Sequence, residues 1–174
     1  MCYKYEKQFK KPVMSFVKSP NFSSRNGVQL KKIVCHYTTS DNANGVISWL
    51  TNPVAQVSAH YVIAKDGTIT QLVKDSDRAW HAYGNNSDSI GIEVCAKTGE
   101  KMTKYQDWAL KDLCLYLLNE YPTIDSVTGH RFLYEDQGYT DCPSAIFGEA
   151  NIDSLRVWIS QNLKPDFPRL RLPS

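Results

Sequence analysis

Short strand-like runs alternate along this chain with segments of helical periodicity, and this alternation constrains the fold more than any other feature. Strands are predicted at about 30–38, 60–64, 68–73 and 89–96. The turn Lys65–Asp66–Gly67 predicts that the second and third of these strands form a hairpin. Strands mixed with helices favour an α/β fold, in which helices pack on a central sheet.

Three segments have the spacing of helices. The first follows a cap at Asp41 or Asn42, the longest runs from a Thr103 cap to about Tyr121, and the last covers about 152–163. Each has an apolar face that needs a partner surface, which the predicted sheet provides.

Several buried side chains are predicted from the same patterns. Cys35, Cys95 and Cys114 lie in apolar runs, which is typical of small buried thiols. Trp49 and Trp108 have the spacing of core residues and are expected to pack inside. The five cysteines form no CxxC pair, so a disulfide framework is not expected.

The 174 residues suit a single domain. We expect an N-terminal arm at 1–20, the main domain at 21–163 and an exposed tail at 164–174 that holds three prolines and two arginines. The net charge of +2 gives no argument for a nucleic-acid partner. No apolar run approaches the roughly 20 residues of a membrane span, and no signal peptide is recognisable, so synthesis in the cytoplasm is expected.

Two imidazoles and a thiol stand in contexts that suit metal ligands. His36 ends a strand-like run, His130 follows the turn Thr128–Gly129, and Cys142 precedes Pro143. This set is one that zinc favours, and three protein ligands leave a position open for water, which is typical of a catalytic site. A cysteine hydrolase, with Cys142 as nucleophile and His130 or His36 as base, stays open.

Glu93 is the candidate acid. Strand alternation puts Ile90, Ile92 and Val94 on one face and Glu93 on the other. The surrounding sequence is apolar, and an unpaired carboxylate inside a protein is costly, so a buried Glu93 needs a partner such as a metal site. The alternative is an edge-strand glutamate that faces solvent.

An ordered set of short motifs resembles the type-2 N-acetylmuramoyl-L-alanine amidases, the family of phage lysozyme-amidases, bacterial anhydro-muropeptide amidases and animal peptidoglycan-recognition proteins. The motifs run in family order from about residue 19 to 147. They are Ser19–Pro20–Asn21–Phe22, Ile33–Val34–Cys35–His36–Tyr37–Thr38, Ser58–Ala59–His60–Tyr61–Val62–Ile63, Asp66–Gly67–Thr68–Ile69, Ala79–Trp80–His81–Ala82, Asn86–Ser87–Asp88–Ser89–Ile90–Gly91–Ile92–Glu93, Thr128–Gly129–His130–Arg131 and Asp141–Cys142–Pro143–Ser144.

The resemblance implies a single α/β domain with a central mixed sheet flanked by helices. It also implies one zinc ion held by His36, His130 and Cys142, with Glu93 as the catalytic carboxylate. The reaction would be hydrolysis of the amide between the lactyl group of N-acetylmuramic acid and L-alanine, in peptidoglycan or in soluble muropeptides. The candidates for contact with the substrate or its oxyanion are His60, His81 and Thr140.

The chain also departs from its relatives. Ala59 stands where some carry a catalytic tyrosine, and Thr140 stands where others carry a lysine. One branch uses an aspartate as third ligand, so Asp141 rivals Cys142. The segment 133–139 is longer than in the phage enzymes.

Two functions are compared on this basis. The first is a monomeric amidase that acts in the cytoplasm, or on the wall after release or delivery. The second is a non-catalytic muropeptide receptor on the same fold, which is the less favoured because Cys142 is present and, in the animal family, loss of this ligand accompanies loss of activity.

Overall fold

The computed structural model describes residues 9–133 and 140–173. Part of the predicted arm, 1–8, and most of the segment expected to be longer than in phage enzymes, 134–139, lie outside these residues. The described residues form eight β-strands and three α-helices: β1 Met14–Phe16, β2 Phe22–Ser24, β3 Lys32–Tyr37, β4 Tyr61–Ile63, β5 Ile69–Gln71, β6 Asp77–Ala79, β7 Ser89–Val94, β8 Ser126–Gly129, α1 Ala43–Leu50, α2 Lys104–Glu120 and α3 Ile152–Asn162.

Six of the strands form a mixed sheet in the order β1-β5-β4-β7-β3-β8. Only β4 and β5 pair antiparallel within it, as the predicted hairpin, and the other neighbours in this described sheet are parallel. Strands β2 and β6 pair separately as a short antiparallel ribbon. The predicted α/β class with a central mixed sheet is therefore confirmed.

Local side-chain chemistry explains where the elements begin. The Asn42 side chain accepts the Gly45 N–H at the start of α1. Thr103 and Gln106 form a reciprocal capping box at the start of α2. Gly67 has φ +85° in the hairpin turn, a conformation that favours glycine.

The core lies mainly between one face of the sheet and helices α2 and α3. Ile33, Ile90 and Ile92 of the central strands are fully buried there against Leu113 and Leu117 of α2. On the opposite face, α1 packs over a smaller apolar cluster that includes Cys95. Side chains that alternate along β3 and β7 therefore point either into the main core or toward the face that α1 partly covers.

Replacement of Leu117 by alanine is expected to lower the free energy of unfolding by about 2–5 kcal/mol, because it leaves a cavity in the main core. Asp112 lies on the exposed side of the same helix, and its replacement by alanine should change that free energy by about 0.5 kcal/mol or less. Urea unfolding of both variants measures the difference. Equal effects would contradict the placement of α2.

The structure corrects the expected exposure of the tail. Phe167 and Leu170 are buried within the main core, and the Arg171 N–H donates to the Asp125 carbonyl oxygen. The Arg169 guanidinium also donates to backbone carbonyls at the end of α2 and beyond it. The tail is basic and proline-rich, and Leu172 is exposed, but Phe167 and Leu170 cover core surface that would otherwise face water.

The expected burial of two tryptophans is also wrong. Trp49 is 55% exposed and Trp108 is 57% exposed. Within α1 the buried residue is the adjacent Leu50, which leaves Trp49 on the outer side.

The three thiols Cys35, Cys95 and Cys114 are buried as predicted. Within the described residues, no helix is long and apolar enough to cross a membrane.

Candidate metal centre

Three neighbouring parallel strands bring the candidate residues to one edge of the sheet. His36 and Glu93 are register partners on β3 and β7, close to the carboxyl end of each strand. His130 follows directly after β8, which pairs with β3 on its other side. Because the carboxyl ends of parallel strands meet at one edge, residues that are far apart in sequence converge here.

His36, His130 and Cys142 come together as a ligand set. One donor atom of each lies within 4.8 Å of the donor atoms of the other two. The Cys142 sulfur lies 3.5 Å from His36 Nδ1 and accepts the Tyr37 N–H at 3.4 Å. Two imidazoles and a sulfur at this spacing fit zinc, whose structural and catalytic sites use these donors.

Electrostatics favours a metal ligand over a free thiol nucleophile at Cys142. Burial, followed by the nearby Glu93 carboxylate, raises the pKa of the Cys142 thiol well above its usual value. A reactive cysteine needs the opposite shift, so a thiol hydrolase is disfavoured, whereas a cation would stabilise the thiolate directly. Burial and His130 lower the pKa of His36, which keeps its imidazole neutral as ligation requires.

Close packing of Pro143 against Gly129 places Cys142 at the edge of the sheet where the parallel strands end. A Cβ atom on Gly129 would lie 2.5 Å from Pro143 Cδ, so only glycine leaves space for Pro143 at this point. The Arg131 N–H donates to the Cys142 carbonyl oxygen, and the Cys142 N–H donates to Thr140 Oγ1 at 3.1 Å. Thr140 therefore supports the ligand loop and also lines the adjoining cavity.

Asp141, the rival ligand, lies outside the set. Its carboxylate accepts a hydrogen bond from the Tyr37 hydroxyl at 3.0 Å, and the residue is exposed. The described donor atoms that converge within 4.8 Å belong to Cys142 and the two histidines. The geometry therefore favours the thiol over the carboxylate.

Glu93 lies beside this set with one unsatisfied oxygen. Its Oε2 is buried and has no hydrogen-bond partner among the described residues. Burial raises the pKa of Glu93 to about 8. A carboxyl group that is poised near neutral pH and left without a protein partner suits proton transfer to a bound molecule.

A cavity of about 530 Å³ opens above these residues. Its walls include Thr38, Thr39 and Ser40 after β3, and Trp49 of α1. The sequence patterns assigned Trp49 to the core, and no local signal distinguishes a tryptophan that packs inside from one that lines a cleft. The polar residues Thr38, Thr39 and Ser40 after His36 therefore face the same cavity as the candidate ligands.

The other predicted site residues have different positions. His81 lines the cavity and contacts His36, with 3.0 Å between His81 Nδ1 and His36 Nε2. His60 is fully buried behind them. Its Nδ1 accepts the Gly91 N–H at 3.0 Å, and its Nε2 lies 3.1 Å from the Asp77 carbonyl oxygen and 2.8 Å from Arg25 Nη2. Both ring nitrogens thus face protein groups, and the structure gives no support to substrate contact by His60.

Stability should depend on pH through His60. Burial, with a smaller effect from Arg25, lowers the pKa of His60 from 6.5 to about 3. Below pH 6.5 the unfolded chain therefore binds a proton that the folded chain does not. The contribution of His60 to the free energy of unfolding is therefore fully present above pH 6.5 and is lost as pH falls toward 3. Between pH 6.5 and 4.5 this loss is on the order of 2 kcal/mol.

Urea unfolding of the wild type and of His60→Asn at pH 7 and pH 4.5 tests this expectation. The asparagine can accept the Gly91 N–H but does not titrate, so the variant should lose less stability on acidification. An equal loss in both proteins would show that His60 does not contribute.

Comparison with known proteins finds relatives that are named as amidases. A family model described as N-acetylmuramoyl-L-alanine amidase matches residues 26–145. N-acetylmuramoyl-L-alanine amidase A of Achromobacter lyticus is 47% identical over 76 residues, which are 43% of this chain and 42% of that protein. The chain thus matches less than half of that relative's length. The 1,6-anhydro-N-acetylmuramyl-L-alanine amidase AmpD of Haemophilus influenzae is 30% identical over 142 residues, covering 66% of this chain and 77% of the relative.

Solved structures with a similar fold include an amidase and a peptidoglycan recognition protein. The endolysin N-acetylmuramoyl-L-alanine amidase LysCS from Clostridium intestinale aligns with a TM-score of 0.66 and 25% identity over 79% of this chain and 90% of its own. The Drosophila peptidoglycan recognition protein SA aligns with a TM-score of 0.62 at 16% identity, over 77% of this chain and 87% of its own, a likeness of fold alone. The family model covers most of the sheet and every residue of the candidate centre, and the chain belongs to the N-acetylmuramoyl-L-alanine amidase family.

Proposed function

We propose that this protein is a zinc-dependent amidase that hydrolyses the bond between the lactyl group of N-acetylmuramic acid and L-alanine. One observation carries the proposal: Glu93, whose Oε2 has no hydrogen-bond partner in the described part of the chain, lies on the strand next to His36, at the cavity that the three candidate ligands line. The names of the relatives supply the bond that is cut.

His36, His130 and Cys142 would hold the zinc ion. Bound zinc supplies Lewis-acid polarisation of a carbonyl group and makes water nucleophilic at neutral pH. Glu93 takes a proton from the attacking water as the new C–O bond forms. Glu93 then gives that proton to the alanine nitrogen as the C–N bond breaks, which leaves a free amine on alanine and a carboxylic acid on the lactyl group that keeps the second proton of the water.

The environment of Glu93 suits both proton transfers. Burial raises its pKa to about 8 in the metal-free protein, which makes the carboxylate a stronger base than an exposed glutamate. The residue is only partly exposed at the cavity wall, which limits the access of bulk water to the proton.

The cavity walls suit a glycopeptide. Trp49 and Trp80 offer aromatic surface, and Thr39, Ser40 and Thr140 offer hydroxyl groups. Aromatic faces with a few polar groups are the usual lining of a specific small-molecule site. We assign substrate contact to these aromatic and hydroxyl side chains. Among them Thr140 is the one that lies next to Cys142, and it also lines the cavity.

A non-catalytic receptor is the alternative that the experiment must separate. Purified zinc-loaded protein is incubated with sacculi and, separately, with soluble 1,6-anhydro-muropeptides, and the products are identified by mass spectrometry. Release of free L-alanine amino termini supports the amidase and shows whether wall or fragments are preferred. Binding of either substrate without cleavage would assign a receptor instead.

A second arm tests the metal. Removal of zinc by a chelator should abolish hydrolysis, and stoichiometric zinc should restore it. Hydrolysis that persists in metal-free protein would overturn the zinc mechanism.

A further inference from the structure

We propose that His81 is a positioning residue that holds His36 in the one tautomer able to bind the metal. The inference rests on the zinc site proposed above. It follows from a chain of three hydrogen bonds that begins at a backbone carbonyl and ends at the ligand set. Each bond can carry only one proton, and this determines where the protons lie.

The chain begins at Ser89. Its hydroxyl donates to the Asn85 carbonyl oxygen at 2.6 Å. A hydroxyl has a single proton, so Ser89 Oγ can only accept from His81 Nε2, which lies 3.0 Å away. His81 therefore carries its proton on Nε2, and its Nδ1 is an acceptor.

The next bond determines the tautomer of His36. His81 Nδ1 lies 3.0 Å from His36 Nε2, so His36 Nε2 must carry the proton. The lone pair of His36 is then on Nδ1, the nitrogen that faces the Cys142 sulfur at 3.5 Å. A proton on His81 Nδ1 would reverse this bond and place the single proton of a neutral His36 on Nδ1, where it would block ligation.

The protein is built to keep the His81 ring at this position. A Cβ atom on Gly91 would lie 2.5 Å from His81 Cγ, so the ring occupies space that only glycine leaves on β7. The Asn86 side-chain oxygen accepts the N–H groups of His81 and Ala82, at 2.9 and 2.7 Å. These contacts fix the ring from the strand side and from its own loop.

The role differs from the substrate contact that the sequence suggested for His81. The residue does line the cavity, but one ring nitrogen is engaged by Ser89 and the other by His36. Partners that orient a ligating histidine typically contribute about 10–100-fold to metal affinity. His81 should therefore act on zinc binding more than on substrate binding.

The test compares zinc affinity in four proteins by competition with a chromophoric chelator. His81→Phe keeps a ring but loses the acceptor, and its zinc Kd should rise by about 10–100-fold. His81→Asn keeps an acceptor oxygen close to the position of Nδ1 and should recover most of the affinity. Tyr83→Ala, in the same loop but 90% exposed, is the matched control and should bind zinc as the wild type does.

A spectroscopic readout is independent of activity and of zinc affinity. Long-range ¹H–¹⁵N NMR of the wild type, zinc-loaded and metal-free, should show His36 protonated on Nε2 and His81 protonated on Nε2. In His81→Phe the His36 tautomer should become mixed in the metal-free protein. His36 protonated on Nδ1 in the metal-free wild type would overturn the inference, even if the His81 variants fail to fold.

The outcomes separate this inference from the proposed function. A wild type that binds no zinc overturns the zinc site, and the inference with it. A wild type that binds zinc while His81→Phe binds it equally tightly overturns the inference alone. If His81→Phe and His81→Asn weaken zinc binding equally, His81 supplies shape and not an acceptor nitrogen. That result also overturns the inference.

Discussion

Replacement of Cys142 by alanine is expected to abolish zinc binding under conditions in which the wild type holds one ion, and to abolish hydrolysis with it. The thiol is one of three converging donors, so its loss leaves two imidazoles. We expect the zinc Kd to rise by more than about 100-fold, beyond the effect of losing a partner outside the ligand set. Metal analysis after gel filtration and assays of cleavage measure the two effects.

Two further variants make this test specific. Cys142→Asp offers a carboxylate oxygen, which zinc also accepts, and should retain part of the metal affinity. Cys114→Ala removes a thiol that is buried in the main core and should leave zinc content unchanged. Full activity of zinc-free Cys142→Ala would contradict the assignment of the ligand set.

Replacement of Glu93 by glutamine is expected to leave zinc content unchanged while kcat falls by about 100-fold or more, the scale of a lost general acid-base group. Glutamine keeps the size of the side chain but cannot take up or release the proton. Glu93 is not among the converging donors, so the metal should stay. Zinc analysis and steady-state kinetics on a soluble muropeptide give the two readouts.

The control for Glu93 is a glutamate away from the cavity. Glu100 pairs with Lys65 at 2.7 Å on the surface, and Glu100→Gln should hydrolyse the substrate at the rate of the wild type. If Glu93→Gln also cleaves at the wild-type rate, the carboxylate is not the proton carrier. If it loses zinc, Glu93 supports the metal instead.

Most element boundaries could be predicted because they depend on neighbours a few residues away. The Asn42 cap, the Thr103–Gln106 box and the Gly67 turn each form within three or four residues of sequence. The three-residue strands β1, β2 and β6 were not predicted. Met14–Phe16 pairs with β5 across 55 residues, and so short a segment has no periodicity of its own.

The identity of the converging residues could also be predicted, but their individual roles could not. His36, His130 and Cys142 were recognisable from their contexts and from the family motifs. The sequence did not distinguish the roles of His60 and His81. In the structure the His60 ring is buried against Arg25, whereas the His81 ring contacts His36, a proposed metal ligand. The difference arises from which strand and loop backbones surround each ring, and no local pattern encodes that.

By itself, the amino-acid sequence determined the α/β class, the caps and turns of most elements, and the set of side chains able to hold zinc. These follow from side-chain chemistry and spacing along the chain. Only the tertiary structure favoured Cys142 over Asp141, buried Phe167 and Leu170 of the tail and placed Trp49 at the cavity. It also left Glu93 Oε2 without a hydrogen-bond partner among the described residues. Each of these depends on packing between segments distant in sequence, because burial and hydrogen-bond partners exist only once the strands and loops have assembled.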